Sequence, residues 1–441
     1  MDLLTAMRIG SPACIALVGG GGKTTTMFRL AREFNGPVLL TTTTHLGTDQ
    51  IDKGDRHQIV LKLEQMKNML EEIRDEVLLI TGDFTKDNRV SGLHSECLNY
   101  LHDFSLENGI PLIIEADGAR TLPVKAPAEH EPVIPDWCTI VINVVGLSAI
   151  GKPVDIDHVH RCDLFSELSG IPTGSLLTWE GMFKVACNTN GGLKNIPASA
   201  KRVLLLNQLD QIDTGDIPFE LVDSALNLYD AVLLGSTGKS DNIGYTFEKT
   251  AAIILAAGES KRYGKPKALL NWYGKSFIRT LADLVIQAGL DPVVIVLGAV
   301  VDSIKSELEC LPVKLVINEN WQKGQGSSVA AGIRALPPHI GSAIFLLCDQ
   351  PHIKTELLVS MKTFHSRHRT PILYPEFAGK RANPVLFDQI TFDDLLTLKN
   401  ETGGRSLFSR FQATGFPWPD PSILIDVDTQ EDYQKLLQLE P

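Results

Sequence analysis

The sequence predicts an α/β protein with two doubly wound, mostly parallel sheets, and three observations carry that expectation. Apolar runs of strand length recur along the chain, at residues 14–18, 38–40, 77–80, 112–114, 140–145, 203–206 and 232–235, and again at 251–255, 293–297, 315–318 and 343–347. Stretches with apolar residues at helical spacing separate them, such as Phe28, Leu30 and Phe34, or residues 276–288. Strands that alternate with helices form parallel sheets covered on both faces. The first strand of each half also runs straight into a loop of very small residues, the place where such sheets take ligands.

The length of 441 residues exceeds one ordinary core and calls for two or three domains. Residues 242–249 are polar and break the pattern, so the linker is expected there, dividing the chain into domains 1–244 and 250–441. A hydrophobic fraction of 44% with 21% charged residues is that of a globular protein. The net charge of −12 speaks against a nucleic-acid partner, so phosphate binding must come from local basic loops. Seven scattered cysteines without a C-x-x-C pair argue against a disulfide framework and fit a reducing cytoplasm. No apolar run reaches the length of a membrane span, and the start lacks a basic leader region.

In the first half, the opening strand meets Gly19, Gly20, Gly21, Gly22, Lys23, Thr24 and Thr25. Glycines followed by Lys-Thr at a helix start wrap backbone N–H groups around phosphates, with Lys23 on the outer phosphates and Thr24 beside Mg²⁺. The position six before the lysine, usually glycine in a P-loop, is Leu17, so the loop is shorter or differently shaped. Residues 41–45, Thr-Thr-Thr-Thr-His, either line the same crevice or form an exposed edge. The strand at 112–114 ends in Glu115 and Asp117, placed like a Walker B element that holds Mg²⁺ directly or through water. Lys125, Glu129, His130 and Glu131 follow in K-A-P-A-E-H-E-P. Asn207-Gln208-Leu209-Asp210 resembles a guanine-reading N-K-x-D with Gln in place of Lys; a plain strand-end turn explains it equally well. His158, His160 and Cys162 alternate, which on a strand aims all three one way without a fourth ligand, so a structural or substrate-facing role is expected rather than a metal site. Together, G-G-G-G-K-T-T, T-T-T-T-H and E-A-D-G-A-R…K-A-P-A-E-H-E-P resemble the YqeC-like family. That family is described as accessory proteins for selenium-dependent molybdenum hydroxylases. The resemblance implies a P-loop-type accessory domain that binds a nucleotide through residues 19–25, Asp117 and His130.

The second half opens on L-A-A-G-E-S-K-R-Y-G-K-P-K at residues 255–267. Ala256, Ala257 and Gly258 let a base or phosphate approach the backbone, while Ser260, Arg262 and Lys267 offer a hydroxyl and two cations to a triphosphate. Gly326 and Ser327, in G-Q-G-S-S-V, open a helix and either contact base and ribose or cap it. Asp349, in L-C-D-Q-P, closes a buried strand and is placed to hold Mg²⁺, with Asp428 of D-V-D-T as the second ligand. Gly403-Gly404-Arg405 adds a flexible loop with a cation. These motifs resemble the MocA-like molybdenum cofactor cytidylyltransferases, a Rossmann-like nucleotidyltransferase fold. The resemblance implies that the cofactor's phosphate attacks CTP and releases pyrophosphate, with Arg262, Lys267 and Asp349 as the catalytic groups. Ala256-Ala257, where guanylyl-transferring relatives tend to have Gly-Gly, resembles the pyrimidine-using branch. Asn383 stands where that family more usually has Gly or His before a proline. The implied partners are nucleotide, pterin cofactor and a molybdenum hydroxylase client. A cofactor-binding chaperone, or a transferase using GTP or another acceptor, are the alternatives.

Overall fold

Strands β1 (Cys14–Gly19), β2 (Val38–Thr42), β3 (Arg56–Ile59), β4 (Val77–Thr81), β5 (Leu112–Glu115), β6 (Ile140–Gly146), β7 (Lys201–Asn207), β8 (Ala231–Gly235) and β9 (Ile243–Glu248) make one nine-stranded sheet. Its order is β9-β8-β7-β6-β1-β5-β2-β4-β3. The computed structural model describes residues 1–239, 243–258, 263, 265–398 and 403–438. The chain divides into two compact units, Met1–Phe247 and Glu248–Pro441.

In the first unit β1 pairs in parallel with both β5 and β6, and β2 pairs in parallel with β5 and β4. Such strands are buried on both faces and read as continuous apolar runs. Accordingly β1 sends Ile15 and Leu17 into one apolar cluster and Cys14, Ala16 and Val18 into another. After β1 the chain turns toward β2, and after β6 it turns toward β7, so the switch of direction lies between β1 and β6. The glycine loop sits at this point, where an open α/β sheet leaves a crevice at its strands' carboxyl ends. Helix α1 (Lys23–Glu33) follows, and packs Met27, Phe28, Leu30 and Ala31 into the core.

The second unit holds β10 (Thr250–Ala256), β11 (Val293–Leu297), β12 (Val313–Ile317), β13 (Ser342–Leu347), β14 (Ile372–Phe377), β15 (Lys380–Arg381), β16 (Val385–Asp388) and β17 (Ala413–Pro417). The order is β12-β11-β10-β13-β16-β14-β15, with β17 beside β14. Here β10 alternates Ala252, Ile254 and Ala256 with Ala251, Ile253 and Leu255 between two clusters on opposite faces. The direction switches between β10 and β13, whose carboxyl ends carry the loop after Ala256 and the Cys348-Asp349 pair.

Several expectations need correction. Residues 243–248 form the edge strand β9 of the first sheet, with Ile243 and Thr246 buried, although the division between the units, Phe247 to Glu248, falls within the expected 242–249. The second sheet is mostly parallel, through β10–β11, β10–β13, β11–β12 and β14–β17, but β16 runs antiparallel to both β13 and β14. His158, Val159 and His160 do not make an extended ladder; the strand is only Val159–His160, His158 bonds Asp155 Oδ1 at 2.7 Å, and Cys162 starts a helix. No described helix is long and apolar enough to cross a membrane.

Candidate active site

In the second unit, Pro266 delivers Lys267 onto a short 3₁₀ turn, Lys267–Leu269, and buries its stem. Its ammonium lies 2.6 Å from Asp428 Oδ1 and 3.4 Å from Asp349 Oδ2. Burial opposes the Lys267 charge, yet its hydrogen bond to Asp428 and the charge of Asp349 hold its pKa above the ordinary lysine value. Asp349 behaves oppositely. Burial pushes its carboxyl up despite Lys267, and Asp426 adds to the rise. Its Oδ1 is buried without a hydrogen-bond partner among the described residues. Asp426 is raised too, first by burial, with Gln350 Nε2 donating to it at 2.5 Å.

Two adjoining cavities open on this cluster. One, of about 640 Å³, is lined by Ala257, Gly258, Lys267, Trp321, Gln325, Ser328 and Asp349. The other, of about 870 Å³, is lined by Asn383, Phe387, Gly403, Gly404, Arg405 and Asp428. They share Leu255, Gln325 and Leu347. A Cβ on Gly298 would strike Trp321 and Ala257 O, so glycine there allows the indole to pack against the loop. The helix Gln325–Arg334 begins after Gly324, so the serines lie inside its first turn instead of capping it. Ser327 Oγ donates to the carbonyls of Asn320 and Gly324, each at 2.9 Å, while Gly326 is buried. Ser260 and Arg262 lie outside the described residues.

The donor set fits a divalent cation. Asp349 contributes a buried, unpartnered carboxylate oxygen and Asp428 a half-exposed carboxylate. No group of three or more His, Cys, Asp or Glu is suited to hold a metal among the described residues. The remaining ligands would be phosphate and water, as Mg²⁺ prefers.

In the first unit, the glycine loop is held by its own neighbours. Gly19 (φ 94°), Gly21 (73°) and Gly22 (109°) adopt conformations that L side chains avoid. Asn207 Nδ2 donates to Gly21 O at 2.7 Å, and Gly19 N donates to Asp117 Oδ2 at 3.0 Å. Lys23 is turned inward, donating to Gly19 O at 2.8 Å and lying 3.2 Å from Asp117 Oδ1. Thr24 Oγ1 donates to Glu115 Oε2 at 2.8 Å. Lys125 joins Asp117 at 2.9 Å to Glu131 at 2.7 Å, and Arg161 grips Glu131 with both fork nitrogens at 2.8 Å. Three cations thus face three carboxylates. Burial raises Glu115, whose nearest cation, Lys23, is 3.9 Å away. Burial also acts on Glu131, but its bonds from Arg161 and Lys125 win and hold it at about 2.

The structure therefore brings Gly19, Gly20, Gly21, Gly22, Lys23, Thr24 and Asp117 together, and likewise Ala257, Gly258, Lys267, Asp349 and Asp428. Thr25 faces outward, and His130 is exposed with no contact to the loop among the described residues. Of the two readings of Asn207-Gln208-Leu209-Asp210, the structure shows Asn207 supporting the loop backbone and Asp210 bonding Ser236 and Lys239. Arg161, Trp321 and Gln325 were not singled out by sequence, because their partners are distant in the chain.

Residues 15–163 match the family model described as YqeC protein, and residues 252–414 match that of the MobA-like NTP transferase domain. The chain is 30% identical to the uncharacterized protein YqeC of Escherichia coli strain K12, covering 48% of this chain and 82% of that one. It belongs to the YqeC family and carries a MobA-like NTP transferase domain. That domain is 30% identical to a nicotine blue oxidoreductase of Paenarthrobacter nicotinovorans, covering 42% of this chain and 95% of that protein. It is 26% identical to a probable molybdenum cofactor guanylyltransferase of Bacillus cytotoxicus, covering 43% and 97%. The MobA-like domain makes the chain a nucleotidyltransferase.

Proposed function

We propose that the MobA-like domain is a molybdenum cofactor cytidylyltransferase, and that the YqeC domain is an accessory in the maturation of a molybdenum hydroxylase. The observation that carries the reading is Lys267, held between Asp349 and Asp428 where the two cavities adjoin. The nucleotide belongs in the cavity lined by Ala257 and Gly258, and the pterin acceptor in the one lined by Asn383 and Arg405. A phosphate oxygen of the acceptor attacks the α-phosphorus of CTP and pyrophosphate leaves. An anionic nucleophile needs little deprotonation, so the protein's work is to align the reactants and offset charge. Lys267 supplies a fixed positive charge, and Arg262 is proposed as a second. Mg²⁺ held by Asp349 and Asp428 would neutralise charge on the triphosphate and leaving group. The Ala256-Ala257 pair supports CTP over GTP, and the YqeC loop with Lys23, Thr24 and Asp117 supports nucleotide binding in the first unit.

Pyrophosphate release from molybdenum cofactor with each of the four nucleoside triphosphates tests the assignment. Release with CTP is expected. Release with GTP alone would overturn the base choice, and a faster polyol or sugar phosphate acceptor would overturn the pterin. The nicotine blue oxidoreductase relative supports a second reading, oxidoreductase activity. Redox turnover without pyrophosphate release would favour it.

A further inference from the structure

The first unit contains a cavity of about 490 Å³ that shares no residue with the glycine loop. Its lining includes Thr44, Arg89, Arg120, Glu131, His160 and Arg161. The carboxylate of Glu131 is already satisfied inside the protein, by the Arg161 fork and by Lys125. Asp163, exposed, is the other carboxylate of the lining. Arg89 is half-buried and Arg120 exposed, and neither guanidinium reaches a carboxylate among the described residues. The cavity therefore carries two guanidinium groups beyond those its own carboxylates use.

Two further observations agree. Burial first, and then the charges of Arg161, Lys125 and Arg120, lower the His160 ring to about 4, against the opposing charge of Glu131. The local field is thus that of excess cation. Arg120, Thr121 and Arg161 also hold φ values of 49°, 64° and 61°. Non-glycine residues enter that region at a cost, and such residues cluster at ligand clamps.

We propose that this cavity binds a tetrahedral phosphate group, as free phosphate or as the monoester end of a small molecule. Arg120 and Arg89 supply the planar donor forks that match phosphate oxygens, and the Thr44 hydroxyl adds a neutral donor. No residue of the glycine loop lines the cavity, although Lys125 links its Glu131 to Asp117 behind that loop.

The test uses the full chain with ¹³C-labelled histidine, and His160 assigned through His160→Gln. Inorganic phosphate and ribose 5-phosphate are the two probes. Saturating either is expected to raise the His160 pKa by about one unit, the effect of a new neighbouring anion. Phosphate held at the glycine loop instead would shift His160 equally in the Arg89→Ala/Arg120→Ala double variant. Tighter saturation by ribose 5-phosphate identifies a monoester site, and equal saturation identifies free phosphate. Arg89→Ala and Arg120→Ala each weaken the response roughly tenfold, and Arg120→Lys recovers part of it. No shift of His160 with millimolar concentrations of either probe would overturn the site. So would an unchanged response in the folded Arg89→Ala/Arg120→Ala double variant.

Discussion

Asp349 and Glu131 are both buried carboxylates beside cations, yet their surroundings push them in opposite directions. Among the described residues Asp349 has one lysine at 3.4 Å and an oxygen without a hydrogen bond, so burial dominates and its charged form is disfavoured. Asp349→Asn removes that buried charge while Asp428 keeps Lys267 paired. The expected result is an unchanged or higher melting temperature of the MobA-like domain with pyrophosphate release reduced on the order of 10²–10³-fold. Near-normal turnover would end the metal role given to Asp349. Glu131 has Lys125 and Arg161 at hydrogen-bond distance, which outweigh burial. Removing one member of such a cluster strands the others, so Glu131→Gln should destabilise the YqeC domain by about 3 kcal/mol at neutral pH. The sign with pH follows from the depressed pKa. The folded state binds its proton less readily than the unfolded chain, whose carboxyl titrates near ~4.3. Glu131 therefore adds stability above that pH and loses it as pH falls toward about 2. Melting curves of the two proteins should converge over that window; a constant gap would show that the charge is not responsible.

At the scale of elements, the glycine loop owes its shape to neighbouring strands. Gly21 has φ 73°, and a Cβ there would strike the backbone of Gly146 at the end of β6. Neither strain nor clash can be relieved by a side-chain rotation, since both partners are backbone. Gly21→Ala should cost the YqeC domain about 2–4 kcal/mol, combining a left-handed conformation with overpacking. Measured unfolding that changes by less than about 1 kcal/mol would mean the loop can move. Strands such as β1, β5 and β10 were legible in the sequence because burial on both faces makes them unbroken apolar runs. The Lys267 turn and Asp349 were legible because strand ends and turn residues adjoin in sequence. Residues 243–248 were not, since Gly244, Thr246 and Glu248 interrupt the apolar residues and give no unbroken run. Arg161 was not legible either: its meaning depends on Glu131, 30 positions away, and no local pattern encodes that pairing. The serines after Gly324 show the limit of capping rules, because a backbone turn at Gly324 took the cap position one residue before the helix.

For the whole molecule, the decisive fact is that each unit closes its own apolar clusters on both faces of its own sheet. Ile15, Leu17 and their partners belong to the YqeC domain; Ile254, Leu281 and theirs belong to the MobA-like domain. Units with separate cores unfold as separate cooperative blocks unless something couples them. Scanning calorimetry of the full chain should therefore show two transitions. A ligand that binds only the folded form of one block raises that block's transition by mass action, and leaves the other in place. CTP with Mg²⁺ at about 100 times its dissociation constant would stabilise its block by ~2.7 kcal/mol. The proposed assignments fix which transition moves: the one that Gly21→Ala leaves alone and that Asp349→Asn raises or leaves unchanged. In the Asp349→Asn protein the CTP-dependent rise should shrink, because a cation ligand is gone. If CTP instead raises the transition that Gly21→Ala lowers, the nucleotide is held by the glycine loop, and the transferase centre must be given a different donor. A single transition that every variant shifts would show that the two blocks are coupled.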